Sequence, residues 1–301
     1  MHKLYDEDRL PEGQPPIHTS NVKDLLIFSY LLTDSDRLYS TIGVVTAWAG
    51  EGKTIAALVC QRAIESRFQS VLPTTIRVKV MPHSTSKILA TNVVEELGEQ
   101  PKGDNSSQLA FEAAMAIERN NLRLLIFDEA DRLNDDSFEV VRYLLDTTGC
   151  PILLIGLPNL LHVIRRQEKF DSRARLRMSF KPLSLEEVLT VVLPGLVFQR
   201  WSFDPKDETD RQMGEAIWRK MCPNLRNLRS LLDTANILAK AKGEEKITLP
   251  LINDAYVRFM AQEEQYLYNN RSKTSSEGQL GSHEEISVQR HKAHDPKKNN
   301  P

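Results

Sequence analysis

Short apolar runs alternate with segments of helical spacing through residues 21–182. The two most continuous runs are LRLLIF at 122–127 and PILLIG at 151–156, and buried parallel strands require such runs. Strands are therefore predicted at 41–46, 75–81, 122–127, 152–155 and 178–180, and helices at 21–34, 54–67, 86–97, 108–120 and 136–146. Because the two types alternate, we expect an α/β fold with a parallel sheet between two layers of helices.

The pattern changes after residue 183, where only helical signals follow as far as about residue 262. Ser184 and Glu187 have the spacing of a capping box at a helix start. Apolar residues recur at helical spacing at Leu225, Leu228, Leu232 and Ala235, and Thr248 is expected to start a helix through Phe259. The chain is thus predicted to comprise an extended arm (1–20), an α/β core (21–182), a small all-helical lid (183–265) and a disordered polar tail (266–301).

Composition adds little to this picture. The 301 residues are 41% hydrophobic and 27% charged, as in ordinary globular proteins, and the net charge of −2 does not exclude a local basic surface. Cys60, Cys150 and Cys222 are too far apart to indicate a metal site or a disulfide framework. No signal peptide is recognisable, and no run reaches the about 18 apolar residues of a membrane span. We therefore expect a soluble, cytoplasmic protein.

A phosphate-binding loop follows the first predicted strand. The sequence TAWAGEGKT at 46–54 departs from G-x-x-x-x-G-K-[ST] only in Ala47, which replaces the first glycine. In such a loop, backbone N–H groups surround the phosphates, the lysine reaches their oxygens and the hydroxyl serves Mg²⁺. A chance G-K-T in a loop is the alternative, but the strand–loop–helix context favours ATP. The predicted ATP contacts are Trp48, Ala49, Gly50, Glu51, Gly52, Lys53, Thr54 and Ile55, with Thr54 also a magnesium ligand.

Two carboxylates end the strand predicted at 122–127. Asp128 is expected to hold Mg²⁺, and Glu129 to polarise the water that attacks ATP. An acidic surface pair after a core strand is the alternative. Residues 128–131 read Asp-Glu-Ala-Asp, but a helicase of that kind needs a second RecA-like domain, which the helical remainder does not supply.

Four segments together resemble the AAA+ ATPases, and among them the TnsC, TniB and MuB regulators of DNA transposition. They are TAWAGEGKT (46–54), LLIFDEADRL (124–133), PILLIGLPNL (151–160) and NLRNLRSLLDTA (224–235). The likeness covers about residues 25–260. The individual motifs occur across AAA+ proteins, and their combination with the compact length and Val80-Met81-Pro82 points to this group.

The resemblance implies further site residues. Arg173 is the candidate arginine finger for a neighbouring subunit, with Arg175 second, although a basic surface turn is the alternative. Arg226 is expected on the nucleotide as sensor 2, while Arg229 or a solvated helix face are alternatives. Asn159 is the nearest candidate for sensor 1. Leu157 stands where related proteins often have threonine, which puts the rate of hydrolysis in question more than binding.

The resemblance also implies partners. It predicts an ATP-dependent homo-oligomer, a filament or ring on double-stranded DNA of any sequence, which marks a target site and recruits the transposase and a TniQ-like targeting protein. Hydrolysis would drive disassembly. Lys79, Thr85 and Lys87, near the second strand's exit, are the candidate DNA contacts, unless Thr85 or Ser86 only caps a helix and Lys87 is solvated. A basic tail cluster offers a weaker candidate surface: Arg271, Lys273, Arg290, Lys292, Lys297 and Lys298.

Two other classes stay open. One is another AAA+ machine, such as a replication initiator, a loader or a secretion-linked ATPase. An initiator is expected to carry a C-terminal helix-turn-helix, which the pattern does not predict. The other is a nucleotide-switched signalling scaffold with negligible turnover, against which Glu129 and Arg173 argue.

Overall fold

The computed structural model of the chain describes residues 16–34, 41–68, 70, 72–196, 200–221 and 224–260. The chain divides into two compact units, residues 1–230 and 231–301. The predicted division between core and lid at 182/183 stays a prediction. The predicted polar tail and nearly all of the predicted arm lie outside the described residues, as does the basic tail cluster.

Five parallel strands form the sheet of the first unit, in the order β2-β3-β4-β1-β5. Their bounds are β1 Ile42–Thr46, β2 Thr75–Lys79, β3 Leu124–Asp128, β4 Ile152–Gly156 and β5 Leu176–Ser179. The predicted parallel sheet is confirmed, with corrected ends. The third strand starts at Leu124 because the N–H of Leu122 still bonds Ile117 of the preceding helix. The second ends at Lys79, before the turn that contains Pro82.

Helices cover both faces of this sheet. Their bounds are α1 Ser20–Asp34, α2 Lys53–Phe68, α3 Ser86–Glu96, α4 Ser106–Arg119, α5 Asp135–Thr148, α6 Leu160–Arg166 and α7 Glu168–Asp171. Alternate residues of a strand point to opposite faces. Leu125 and Phe127 accordingly join the core formed with α3, α4 and α5, whereas Leu124 and Ile126 join the core formed with α1 and α2.

Only helices follow β5 among the described residues, as predicted. They are α8 Leu185–Glu187, a π-helical stretch Val188–Val192, α9 Leu193–Gly195, α10 Glu208–Met221, α11 Leu225–Lys242, α12 Leu249–Ala255 and a second π-helical stretch Tyr256–Met260. Ser184 caps α8 by accepting from the N–H of Glu187. The carboxylate of Glu187 does not complete the capping box, because it accepts from the N–H and hydroxyl of Ser20. None of the helices in the described ranges is both long and apolar enough to cross a membrane.

Candidate nucleotide-binding site

The loop between β1 and α2 has the backbone of a phosphate cradle. Gly50 and Gly52 have φ angles of 83° and 87°, in the left-handed region that glycine tolerates. Glu51 closes the loop, since its carboxylate accepts from the N–H of Trp48 at 2.7 Å. Ala47 is not among the residues with positive φ, and its N–H donates to the carbonyl of Gly156 on β4. Alanine therefore fits where the standard loop has glycine.

Lys53 lies at the centre of this site. Its ammonium donates to the carbonyls of Ala47 and Trp48, at 2.8 and 2.9 Å. Burial lowers the pKa of Lys53 below its ordinary value, against the opposing charges of Asp128, Asp131 and Glu51. The positive charge of Arg226 adds to the lowering. The chain thus brings the acidic strand end and the start of α11 within electrostatic reach of the loop lysine.

Asp128 is fully buried at the carboxyl end of β3. One carboxylate oxygen, Oδ1, accepts from the N–H of Glu129 at 2.9 Å. The other, Oδ2, accepts from Nη1 of Arg77 on β2, at 3.3 Å. Arg77 is not among the site residues predicted from the sequence. The signal was a charged residue in the middle of the β-branched segment TIRVK, where an inward-facing cation requires an acidic partner.

Glu129 has an unusual backbone and two cationic neighbours. Its φ and ψ are 58° and 36°, the left-handed conformation that a non-glycine residue adopts rarely. Its carboxylate forms ion pairs with Arg132 and with Lys79, the latter at 3.8 Å. Lys79 is therefore half-buried beside the acidic pair, which differs from the exposed position expected for a DNA contact. Its role in DNA binding stays a prediction.

Asp131, the last residue of the Asp-Glu-Ala-Asp segment, connects two strand ends. Its carboxylate accepts from the N–H of Leu157, just beyond β4, at 2.8 Å. Asn159 follows two residues later at the start of α6, where it is exposed and its side chain makes no capping bond. The contact that fixes the exit of β4 is thus made by Asp131, and the sensor role of Asn159 stays a prediction.

The start of α11 lies on the phosphate loop. The side-chain amide of Asn224 donates to the carbonyl of Ala49 at 3.3 Å, and its oxygen caps α11 by accepting from the N–H of Asn227. The N–H of Arg226 donates to the carbonyl of Gly50 at 3.2 Å. A Cβ on Gly50 would come within 2.2 Å of Asn224, so this contact requires glycine. Arg226 is exposed at the loop, and its sensor 2 role stays a prediction, whereas the alternative, Arg229, is half-buried.

Arg173 lies at the opposite edge of the sheet. Its carbonyl accepts from the N–H of Ile42, the first residue of β1, whereas the phosphate loop follows the last residue of that strand. Its guanidinium forms two hydrogen bonds with Asp146, at 2.9 and 3.1 Å. Arg175 is exposed and donates to the carbonyl of Ser172. Arg173 is thus separated from the phosphate loop of its own chain by the length of β1.

The remaining candidate DNA contacts lie at the start of α3. Thr85 caps this helix by accepting from the N–H of Ile88, as the capping alternative expected. Lys87 is exposed and donates to the carbonyl of Asp104 at 2.8 Å. The preceding Ser84 is held to α5, because its carbonyl accepts from the side chains of Asn134 and Ser137. Of the three predicted DNA contacts, only Lys87 presents an exposed charge.

The donors at this site fit Mg²⁺. Thr54, in the first turn of α2, supplies a half-buried hydroxyl, and Asp128 a carboxylate, and both are oxygen ligands of the kind Mg²⁺ prefers. Across the part of the chain that the structure describes, no group of three or more His, Cys, Asp or Glu side chains could hold a metal ion.

Comparison with known proteins concerns the domain and its fold. Residues 37–164 match the sequence model of the AAA domain. The fold is that of an AAA+ P-loop domain. No significant match is found among curated proteins.

Solved structures with this fold include three AAA+ proteins. The ORC2 protein of Aeropyrum pernix, in ADPNP–ADP complexes, aligns with a TM-score of 0.67 at 15% identity, over 85% of this chain and 72% of that chain. The ORC1 protein of Aeropyrum pernix in complex with DNA aligns at 0.62 and 16% identity, over 82% and 67%. Domain III of the Thermotoga maritima replication initiation protein DnaA aligns at 0.56 and 14% identity, over 81% and 94%. At these identities the likeness concerns the fold.

Proposed function

We propose that this chain binds ATP with Mg²⁺ and hydrolyses it. The observation that carries the proposal is the glycine loop of phosphate-cradle geometry, in which the ammonium of Lys53 donates to the carbonyls of Ala47 and Trp48. Backbone N–H groups and Lys53 would bind the phosphates, and Thr54 and Asp128 would hold Mg²⁺. When bound, Mg²⁺ neutralises charge on the phosphates.

Hydrolysis is assigned to Glu129, which follows the metal-binding carboxylate and would orient the attacking water. Arg226 at the phosphate loop would contact the nucleotide from the same chain. Arg173 would act on the site of a neighbouring subunit, because the length of β1 separates it from its own loop. Turnover would then require assembly, since a finger supplied in trans is absent from the monomer.

Two substitutions test this function directly. Lys53→Ala should abolish ATP binding because it removes the cation at the phosphates, and Glu129→Gln should retain binding but lose turnover and accumulate an assembled state. The matched control is Lys23→Ala, which removes an exposed lysine on α1. ATP binding, turnover and oligomer size that are unaffected by both site variants would refute the assignment.

We further propose that the assembly forms on duplex DNA and regulates transposition. The resemblance of four segments to the TnsC, TniB and MuB group supports this role, as does the exposed Lys87 repeated once per subunit, which would give affinity without sequence preference. The ORC1 structure with DNA supports DNA binding by a chain of this fold. The transposase and a TniQ-like protein would be the partners.

A replication initiator or loader is the second candidate, because the solved structures of this fold include ORC proteins and DnaA. Electron microscopy of the full chain with a non-hydrolysable ATP analogue and several unrelated duplexes separates the two. Regular filaments or rings on every duplex, together with stimulation of a transposase, would favour the transposition regulator. Assembly on one particular sequence would favour the initiator. Nucleotide-bound monomers that ignore all duplexes would contradict both.

A further inference from the structure

The carboxylate of Asp128, which is proposed to hold the metal, is already paired with a largely buried cation, Arg77. Ile76 and Val78 of β2 belong to the core formed with α3, α4 and α5, so Arg77 between them faces the α2 side of the sheet. Asp128 faces that side too, two residues after Ile126, which packs with α1 and α2. The side chain of Arg77 is 9% exposed, and its guanidinium pairs with the carboxylate of Asp128, whose side chain is 0% exposed.

The stability of the fold does not by itself require an ion pair between Arg77 and Asp128. Two buried charges lose their hydration, and apolar residues of similar volume often stabilise a core as well or better. Removal of one partner, however, leaves a buried charge without compensation. Stability alone therefore does not explain why Arg77 is paired with Asp128, and the pairing indicates a role at the site.

Both oxygens of Asp128 are engaged before any metal arrives. Oδ1 is held by the N–H of Glu129, and Oδ2 by Arg77. A divalent cation that approaches Oδ2 must displace the guanidinium or share the oxygen with it, and like charges repel strongly at such distances. A bound triphosphate changes this balance, because its negative charges attract the metal and the guanidinium alike.

We propose that Arg77 is a positioning residue that orients the carboxylate of Asp128 and keeps free divalent cations out until nucleotide is bound. This inference rests on the proposed role of Asp128 in holding Mg²⁺. It implies that metal and nucleotide enter the site together. In the absence of nucleotide, the arginine substitutes for the metal as the counter-charge of Asp128.

Binding of Mn²⁺ to the full chain without nucleotide tests the inference, because electron paramagnetic resonance counts free Mn²⁺ directly. Arg77→Met keeps much of the side-chain volume and removes the charge. It should bind Mn²⁺ at least about tenfold more tightly than the wild type, since a repulsive charge beside the carboxylate is gone. Arg77→Lys retains a positive charge, so its affinity for Mn²⁺ should stay as weak as that of the wild type. A gain of affinity is a change that a damaged fold does not produce.

Two further measurements keep the outcome decisive. The wild type should bind Mn²⁺ tightly only when a non-hydrolysable ATP analogue is present, and tight binding by the nucleotide-free wild type would overturn the inference even if Arg77→Met fails to fold. The double variant Arg77→Met with Asp128→Asn should lose the gained affinity. If Arg77→Met folds and binds Mn²⁺ no more tightly than the wild type, the inference is also refuted.

Failure of the inference differs from failure of the proposed function. If Asp128→Asn leaves the affinity for Mn²⁺ in the nucleotide complex unchanged, Asp128 does not hold the metal, and the proposed site is wrong. If Asp128→Asn weakens that affinity while Arg77→Met has no effect without nucleotide, the site stands and only the role of Arg77 is rejected.

Discussion

The ammonium of Lys79 lies 3.8 Å from the carboxylate of Glu129, across two neighbouring parallel strands. Lys79 stands opposite Asp128 in the register of β2 and β3, so the residue after Asp128 comes within its reach. A lysine expected to contact DNA is thus paired with the candidate catalytic base.

Lys79→Ala should change ATP turnover more than DNA affinity. Loss of one of two cations beside Glu129 leaves its carboxylate less tightly held, and we expect DNA-independent turnover to rise severalfold. Lys87→Ala is the matched comparison, because Lys87 is exposed. It should weaken DNA binding and reduce the salt slope by about one unit per contact, with turnover in the absence of DNA unchanged. The reverse pattern would assign the DNA contact to Lys79.

Asn224→Asp should weaken ATP binding with little loss of stability. The aspartate oxygen can still accept from the N–H of Asn227 and cap α11, but it cannot donate to Ala49. It also adds a negative charge beside the phosphates, so we expect affinity for ATP to fall about tenfold. Titration of a fluorescent ATP analogue measures the loss. Asn224→Ser keeps the cap without the charge, and an equal loss there would attribute the effect to the lost donor instead.

Arg173→Ala should abolish assembly-dependent turnover and leave ATP binding intact. Its pair with Asp146 is half-exposed and contributes at most about 1 kcal/mol, so the fold should persist. Mixing Arg173→Ala chains with Lys53→Ala chains should restore partial activity, because each supplies the element the other lacks. Arg177→Ala, which removes a comparable pair with Asp171, serves as control. Mixtures as inactive as either variant alone would contradict action in trans.

The lowered pKa of Lys53 predicts opposite effects of pH on binding and on stability. Between the folded and unfolded pKa values the unfolded chain binds more protons at this residue, so its contribution to the free energy of unfolding rises with pH. Affinity for ATP should instead fall as pH passes through the lowered pKa, because the neutral amine attracts phosphate less. Titrations from pH 7 to about 10 test this, and Lys53→Met should show a flatter profile.

Much of the fold could be predicted because its signals are local. The apolar runs of buried parallel strands, the strand–loop–helix around Gly52 and Lys53, and the two carboxylates after β3 are each readable within a few residues. The ends of the elements were harder to predict. The start of β3 moved to Leu124 because the preceding residues bond backwards to α4 and across to Thr74, which no local pattern indicates.

A phosphate loop and an acidic strand end on a parallel α/β core could be predicted from the residues alone, because both are short motifs in a periodic context. The contacts of those residues depend on how the chain folds. The fold placed Arg77 on Asp128, Lys79 on Glu129 and Asn224 on Ala49, pairs separated by 50 to 175 residues. The first two contacts depend on strand order, and the third on the return of α11 to the phosphate loop. Hydrophobic periodicity states which face of a strand is buried, but not which strand lies beside it, and that neighbour determines the partner of Asp128.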